Sequence, residues 1–258
     1  MQIEYFHVDA FTDQVFTGNP AGVCLLDTWL HADLMQMIAS ENNLSETAFV
    51  VPDGYYFGIR WFTPHVEIDL CGHATLASAH ILFRHKSFVG SNIEFHSNTD
   101  RLTVEKTGDI LTLDFPSRPP VSCPIPPILV QALSHDPIEV LSARDYLVVF
   151  QSEDIVRKLK PDMALLSKID KAVIVTARGK EADFVSRFFA PIYGIPEDPV
   201  TGSSHCTLIP YWSKQLSKSS LVALQVSSRG GRLYCQYQGD RVRIGGNAVT
   251  YLQGYFSV

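Results

Sequence analysis

Ile195-Pro196-Glu197-Asp198-Pro199-Val200-Thr201-Gly202-Ser203-Ser204-His205-Cys206 is the stretch on which the fold turns. It gathers two acids, two prolines, a glycine and several hydroxyls, then runs into Thr207-Leu208-Ile209-Pro210-Tyr211-Trp212. The pattern reads as a rigid turn feeding a helix whose first amides, near Gly202 to Ser204, are unpaired. Such a helix start attracts carboxylates and phosphates, because its N–H groups have no intrahelical acceptor and the backbone dipoles add up there. A second turn of the same build lies earlier, at Asp69-Leu70-Cys71-Gly72-His73-Ala74-Thr75. The expectation is that the two turns face each other and enclose a small anionic substrate.

Outward from these turns, the chain of 258 residues has room for two compact domains. Apolar residues make up 46% and charged ones 19%, a balance that points to an ordinary globular protein and away from a disordered one. The formal charge is -6 and the basic residues are scattered, so a nucleic-acid partner is not expected. Anion binding must then be local, made by backbone amides and a few side chains. The five cysteines, at 24, 71, 123, 206 and 235, include no CxxC pair, and neither a disulfide framework nor structural zinc is expected. Met1-Gln2-Ile3-Glu4 is not a basic and apolar leader, and no stretch approaches a membrane span; the reading is cytoplasmic, with no membrane partner.

Strand patterns occur at 3–8, 21–26, 44–51 and 56–62, separated by the polar loop ending Gly18-Asn19-Pro20 and by a helix at 31–41 with Leu34, Met37 and Ile38 on one side. Composition alone reads Asn19 as a turn residue bonded to its own backbone. Ala74 to Phe83 forms a helix rich in small residues, followed by a meander at 92–96, 102–106 and 110–115. Prolines crowd 116–127 and mark the domain boundary, dividing an N-terminal domain, 1–117, from a C-terminal one, 118–258, whose last strand closes its own sheet or crosses back. The second half repeats the style of the first. Helices are expected at 128–134, 152–159 (capped by Ser152 or Asp154) and 203–216, and strands at 146–150, 172–176, 183–189, 222–227, 232–237, 241–244 and 249–256. Phe62-Thr63-Pro64 precedes Gly72-His73-Ala74 much as Phe189-Ala190-Pro191 precedes Gly202-Ser203-Ser204, which supports pseudo-symmetric domains with a cleft between them.

Several side chains have the chemistry to act. Asp198 reads as a turn residue before proline or, in the company of Thr201 and Ser203, as a partner for a substrate amine or a proton-transfer group. His73 is the natural proton carrier or a satisfied core histidine; His205 competes with it. Cys71 is an inert buried thiol or, beside unpaired amides, an acidified one and an alternative base. Glu46 enters apolar sequence at Leu44, Ala48 and Phe49, and periodicity does not decide between a solvated and a cleft position. The spacing of His73, His80 and His85 matches no HExxH pair, so no metal is expected. Neither glycine turn is GxGxxG or GxxxxGK, and GxSxG is absent, which removes dinucleotide, P-loop and simple hydrolase readings.

Gly18-Asn19-Pro20-Ala21-Gly22, Asn43-Leu44-Ser45-Glu46-Thr47, Phe62-Thr63-Pro64, the Asp69–Thr75 turn, Glu197–Ser203 and Gly245-Gly246-Asn247-Ala248-Val249 together resemble, in order and over nearly the whole chain, the signature blocks of the PhzF-like family, named for phenazine biosynthesis. The resemblance implies an α+β fold similar to diaminopimelate epimerase: two pseudo-symmetric domains, each a mixed sheet or open barrel around a central helix. It implies a cofactor-independent isomerase of a small carboxylate-bearing metabolite, often a homodimer. Block by block, the carbon-to-carbon proton carrier corresponds to Glu46, with His73, Asp198 and Ser203 as the assisting residues. Asn19, Cys71, Gly72, Thr201, Gly202 and Ser204 are the substrate-binding candidates around them. Such a relay needs a base held dry enough to pick a proton up and release it again, and donors where negative charge develops.

Related racemases place a cysteine just before each of two glycine turns. Cys71 matches the first place, but no cysteine directly precedes Gly202. An isomerase working through Glu46 is therefore the first reading. A racemase or epimerase using Cys71 with an unusual partner is the second, and a non-catalytic protein that binds a small ligand is the third.

Overall fold

Ten of the fourteen residues of the helix Gly72–His85 are buried, as are eleven of the fifteen of Gly202–Leu216. A helix hidden on nearly every side has to be wrapped by other elements. In the computed structural model, which describes all residues from Met1 to Val258, each of these helices is the centre of one unit. The first unit comprises Met1–Asp114 and Gly245–Val258, and the second Phe115–Ile244. The division falls just ahead of the proline-rich segment, and the last strand joins the first unit.

In the first unit β1 (Gln2–Ala10) pairs antiparallel with β2 (Asn19–Leu25) on one side and with the last strand, β18 (Ala248–Ser257), on the other. Helix α1 (Ala32–Asn42) then crosses to β3 (Glu46–Asp53), which runs parallel to β2. Next come β4 (Tyr56–Phe62), antiparallel to β3, the two-residue β5 (Glu67–Ile68), and the central helix α2 (Gly72–His85). The chain returns through β6 (Asn92–His96), parallel to β4, and finishes in the meander of β7 (Arg101–Thr107) and β8 (Ile110–Pro116). Val8, Asp9 and Ala10 are all buried at the end of β1, so the alternation expected of a one-sided strand is lost there. On α1 the buried residues are Met35, Ile38 and Ala39, while Met37 is exposed. The expected face of Leu34, Met37 and Ile38 is thus corrected: both faces satisfy helical spacing, and the core takes up Leu34, Met35 and Ile38.

The second unit contains β9 (Val121–Ser122), α3 (Pro127–Leu133), β10 (Glu139–Ser142), β11 (Tyr146–Val149), α4 (Glu153–Lys158), α5 (Met163–Leu166), β12 (Val173–Arg178), β13 (Phe184–Ala190), β14 (Ile195–Asp198), the central helix α6 (Gly202–Leu216), β15 (Ser220–Gln225), β16 (Gly231–Gln238) and β17 (Arg241–Gly246). Its pairing repeats that of the first unit. β10 and β11 are antiparallel, β11 and β12 parallel, β12 and β13 antiparallel; the short β14 folds back on β13; and after the helix β15 returns parallel to β13. The fold is therefore α+β with two pseudo-symmetric halves. Several short elements escape a reading of periodicity, among them β5, β9, β10, α5 and β14, where the Ile-Pro-Glu-Asp run expected as a turn is a strand instead. Ser152, not Asp154, caps α4 by accepting from the Ile155 N–H. No helix is long and apolar enough to cross a membrane.

The two central helices open in the same way. Thr75 donates its hydroxyl to the Cys71 carbonyl at 2.6 Å, and His205, at the matching position of α6, uses Nδ1 on the Thr201 carbonyl at 2.8 Å. Farther along α6, Pro210 has no N–H to give the Cys206 carbonyl. The Arg118 backbone N–H takes that place at 2.9 Å, so an internal proline is accommodated without an orphaned carbonyl.

His205 has 0% exposure and its ring lies against Phe184. With Nδ1 engaged as donor, Nε2 is left without a hydrogen-bond partner, and burial lowers the imidazole from 6.5 to about 4. The unfolded chain takes up this proton below pH 6.5 and the folded one does not. Its contribution to stability is complete above that pH and declines as the pH falls toward 4. In urea titrations, moving from pH 7 to pH 5 is expected to cost roughly 2 kcal/mol less in His205→Gln than in the natural protein.

Candidate active site

β2 and β3 run in the same direction, with Ala21 beside Glu46, so Asn19 and Glu46 start their strands at one end of the sheet. Cys71 is the residue before α2, and His73 lies in the helix's first turn. Three separate chain segments thereby bring Asn19, Glu46, Cys71 and His73 into one cluster in the first unit. His73 Nε2 stands 3.0 Å from Glu46 Oε2. On the other side of the ring, His73 Nδ1 meets the Asn19 side-chain amide at 3.3 Å and Cys71 Sγ at 3.6 Å. All four residues are buried, Glu46 with 8% exposure. Glu46 Oε2 has the close imidazole as an ion-pair partner but no aligned hydrogen bond.

The electrostatics of this cluster are coupled. Burial opposes the charged imidazole, but the Cys71 sulfur and the Glu46 carboxyl outweigh it and hold His73 well above the ordinary histidine range. Burial and the Glu46 charge push the Cys71 thiol up, with His73 only partly offsetting them. Of the two readings of Cys71, burial supports the inert thiol and not the acidified one. At the sulfur desolvation dominates, so the thiol holds its proton more tightly than an exposed cysteine does. Glu46, Cys71 and His73 also form the one group of three metal-type donors in the chain, with ligating atoms within 4.8 Å of one another. The histidine spacing could not reveal this group, because Glu46 is brought in from a distant strand.

In the second unit, Asp198, Thr201, Gly202, Ser203 and Ser204 gather at the start of α6. Asp198 Oδ2 accepts from the Thr201 hydroxyl at 2.5 Å, and Ser204 donates to the Thr201 carbonyl at 2.9 Å. Glu197, its sequence neighbour, is directed elsewhere, with both its oxygens paired to Arg187 at 2.7 and 2.9 Å. Asp198 is therefore the acid of this turn that faces the helix start.

Two residues of this site were not singled out from sequence. Gln225, at the end of β15, donates to the Asp198 carbonyl at 2.8 Å and to the Thr201 hydroxyl at 3.2 Å, and accepts from the Thr201 N–H at 2.9 Å. Arg144, in the β10–β11 turn, donates to the Ser203 hydroxyl at 3.3 Å and pairs with Asp145 at 3.3 Å. Burial pushes the Asp145 carboxyl up against the opposing pull of Arg144, Arg118 and Lys171, which marks a cationic neighbourhood. The duplication is the signal that finds Arg144. Tyr146 sits beside Val173 as Ala21 sits beside Glu46, so Arg144 holds the place of Asn19, and Ser203 that of His73. On the same mapping Val173 occupies the place of Glu46 and Thr201 that of Cys71. Only the first unit carries the carboxylate, imidazole and thiol.

A family model described as phenazine biosynthesis-like protein matches residues 8–254. The chain belongs to this PhzF family. An uncharacterized isomerase of Pseudomonas aeruginosa is 53% identical to it over 98% of both chains. The crystal structure of a PhzF-family protein from Enterococcus faecalis superposes with a TM-score of 0.98 at 47% identity, covering 100% of each chain. A hydroxyproline epimerase from Agrobacterium vitis, at 10% identity, shares the fold with a TM-score of 0.63 over 98% of this chain and 92% of its own. This PhzF-family chain is an isomerase.

Gln225 fixes three polar groups of the Asp198–Thr201 turn at once. Gln225→Ala is expected to lower stability by about 2–4 kcal/mol, since buried partners are left unpaired. Chemical denaturation followed by tryptophan fluorescence measures it.

Proposed function

We propose that this PhzF-family chain is a cofactor-independent isomerase in which Glu46 moves a proton between two carbons of a small carboxylate-bearing metabolite. The observation that carries the reading is the state of Glu46: buried at the start of β3, with an oxygen 3.0 Å from His73 and no aligned hydrogen bond on it. That oxygen has a lone pair to offer a C–H proton, and the protonated carboxyl then returns the hydrogen to the second carbon, so the carboxylate is regenerated at each turnover.

His73 supports both halves of the step. As an imidazolium it balances the charge of Glu46 before abstraction. The amides opening α2 are donors for the substrate's carboxylate and for charge that develops during transfer. Ser203, held by Arg144, adds a hydroxyl and a nearby cation. In the second unit Asp198, its backbone fixed by Gln225, offers a carboxylate to an amine or hydroxyl.

The racemase reading through Cys71 is weaker on two counts. The thiol is pushed up, so it keeps its proton at neutral pH, and Thr201 stands where a second thiol is needed.

A thermal-shift screen of small carboxylates identifies ligands, and mass spectrometry in deuterated water then reads exchange at carbon. Glu46→Gln is expected to slow deuterium incorporation about 10³-fold with ligand affinity changed only a few-fold. If Glu46→Gln exchanges normally and Cys71→Ser does not, the thiol is the base and the proposal fails.

A further inference from the structure

We propose that Arg118 and Arg144 of the second unit form a binding site for a small oxyanion with two negative charges, completed by the Ser203 hydroxyl. The site stands on the second unit alone and does not rest on the isomerase reading above.

Backbone ties bring the two arginines together. β9 runs antiparallel to β10 with Val121 opposite Ser142. The same direction of chain carries Arg118, just ahead of Val121, back alongside the Arg144–Asp145 turn that follows β10. The Arg118 N–H is bonded at 2.9 Å to the Cys206 carbonyl of α6. Arg144 reaches the first turn of that helix, donating from Nη2 to Ser203 Oγ at 3.3 Å. The opening turns of α6 therefore anchor both residues. Two groups feel both guanidinia. Burial raises the Asp145 carboxyl, with Arg144, Arg118 and Lys171 pulling the other way. Burial also takes the Cys206 thiol up to about 11, again opposed by Arg118 and Arg144.

Charge is out of balance here. Arg144 Nε pairs with Asp145 Oδ2 at 3.3 Å, and its Nη1 has no acceptor. Arg118 is half-buried, and its guanidinium makes no hydrogen bond or ion pair in the chain. Lys171 gives its ammonium to neutral acceptors, the Ser142 hydroxyl at 2.7 Å and the Ala143 carbonyl at 3.1 Å. Of the neighbouring acids, Asp170 accepts from the Tyr146 hydroxyl and Asp198 from the Thr201 hydroxyl. Three cations thus share one carboxylate, that of Asp145. Partly buried cations without a counter-charge are unfavourable to hold together, and an anion relieves this.

The donors suit an oxyanion. A guanidinium presents its N–H groups in a planar fork that matches carboxylate and phosphate oxygens, and such charge-assisted bonds are about twice as strong as neutral ones. Because Ser203 accepts from Arg144, its own O–H is free to donate. Two guanidinium charges balance a dianion, whereas a single carboxylate leaves one of them unanswered. A phosphate monoester and a dicarboxylate share this chemistry.

The test is equilibrium dialysis of the full chain at low salt and slightly alkaline pH, with labelled inorganic phosphate, malonate and acetate as separate probes. Phosphate or malonate is expected to bind one per chain, and the tighter of the two identifies the source of the dianion. Acetate should bind about tenfold more weakly or worse. Arg118→Met and Arg144→Met should each weaken the dianion about tenfold or more, and Ser203→Ala about threefold. Lys214→Met, in the last turn of α6, should leave binding unchanged. If neither dianion binds the natural protein, the site is overturned without any variant having to fold. Acetate binding as tightly as the dianions overturns the two-charge assignment, and unchanged binding in a folded Arg118→Met overturns the pairing of the arginines. Deuterium exchange is no part of this readout, so failure of the isomerase reading leaves the dialysis result standing.

Discussion

A carboxylate and an imidazole, both buried and 3.0 Å apart, are the constraint around which the first unit is arranged. Neither group is stable in an apolar interior as an isolated charge. Each makes the other tolerable, and that mutual dependence requires three chain segments to arrive at one point with little freedom. The parallel start of β2 and β3 and the N-terminus of a wholly enclosed helix meet this requirement with backbone hydrogen bonds and core packing. The rigidity of the surroundings is thus a condition for keeping charge inside.

The second unit shows the same scaffold without that burden. Val173 stands at the register position of Glu46, and the neighbouring positions carry Arg144, Thr201 and Ser203 in place of Asn19, Cys71 and His73. One architecture has been fitted to two electrostatic roles. In the first unit these positions carry a carboxylate, an imidazole and a thiol; in the second they carry two hydroxyls and a guanidinium. Even the helix openings were preserved by different means, a threonine hydroxyl in one and a neutral histidine in the other.

Much of this was legible in the sequence. The two glycine turns, their central helices and the meanders follow from local signals, because small residues, prolines and alternation act within a few positions of where they stand. The companionship of Glu46 and His73 was not legible from periodicity: the two are joined by strand register and helix docking, and only the family blocks linked them. Arg144 and Gln225 were missed because nothing in their immediate sequence distinguishes them from surface residues. Their roles exist only through partners 59 and 24 positions away. The misplaced face of α1 has a different origin. Leu34, Met37 and Ile38 satisfy helical spacing as well as Leu34, Met35 and Ile38 do, and the core chose between them.

The pairing of β18 with β1 sets an order of events during synthesis. The backbone of Val258 reaches that of Met1, and Gln2 lies opposite Ser257, so the first unit draws its closing strand from the far end of the chain. The second unit, Phe115–Ile244, is one continuous segment. On the ribosome it has everything it needs while the earlier-made unit still shows an open sheet edge along β1. Such an edge invites mispairing with other nascent chains. The first unit therefore closes only after the second has been made, and its exposure to chaperones and to aggregation should peak when the second unit is already built.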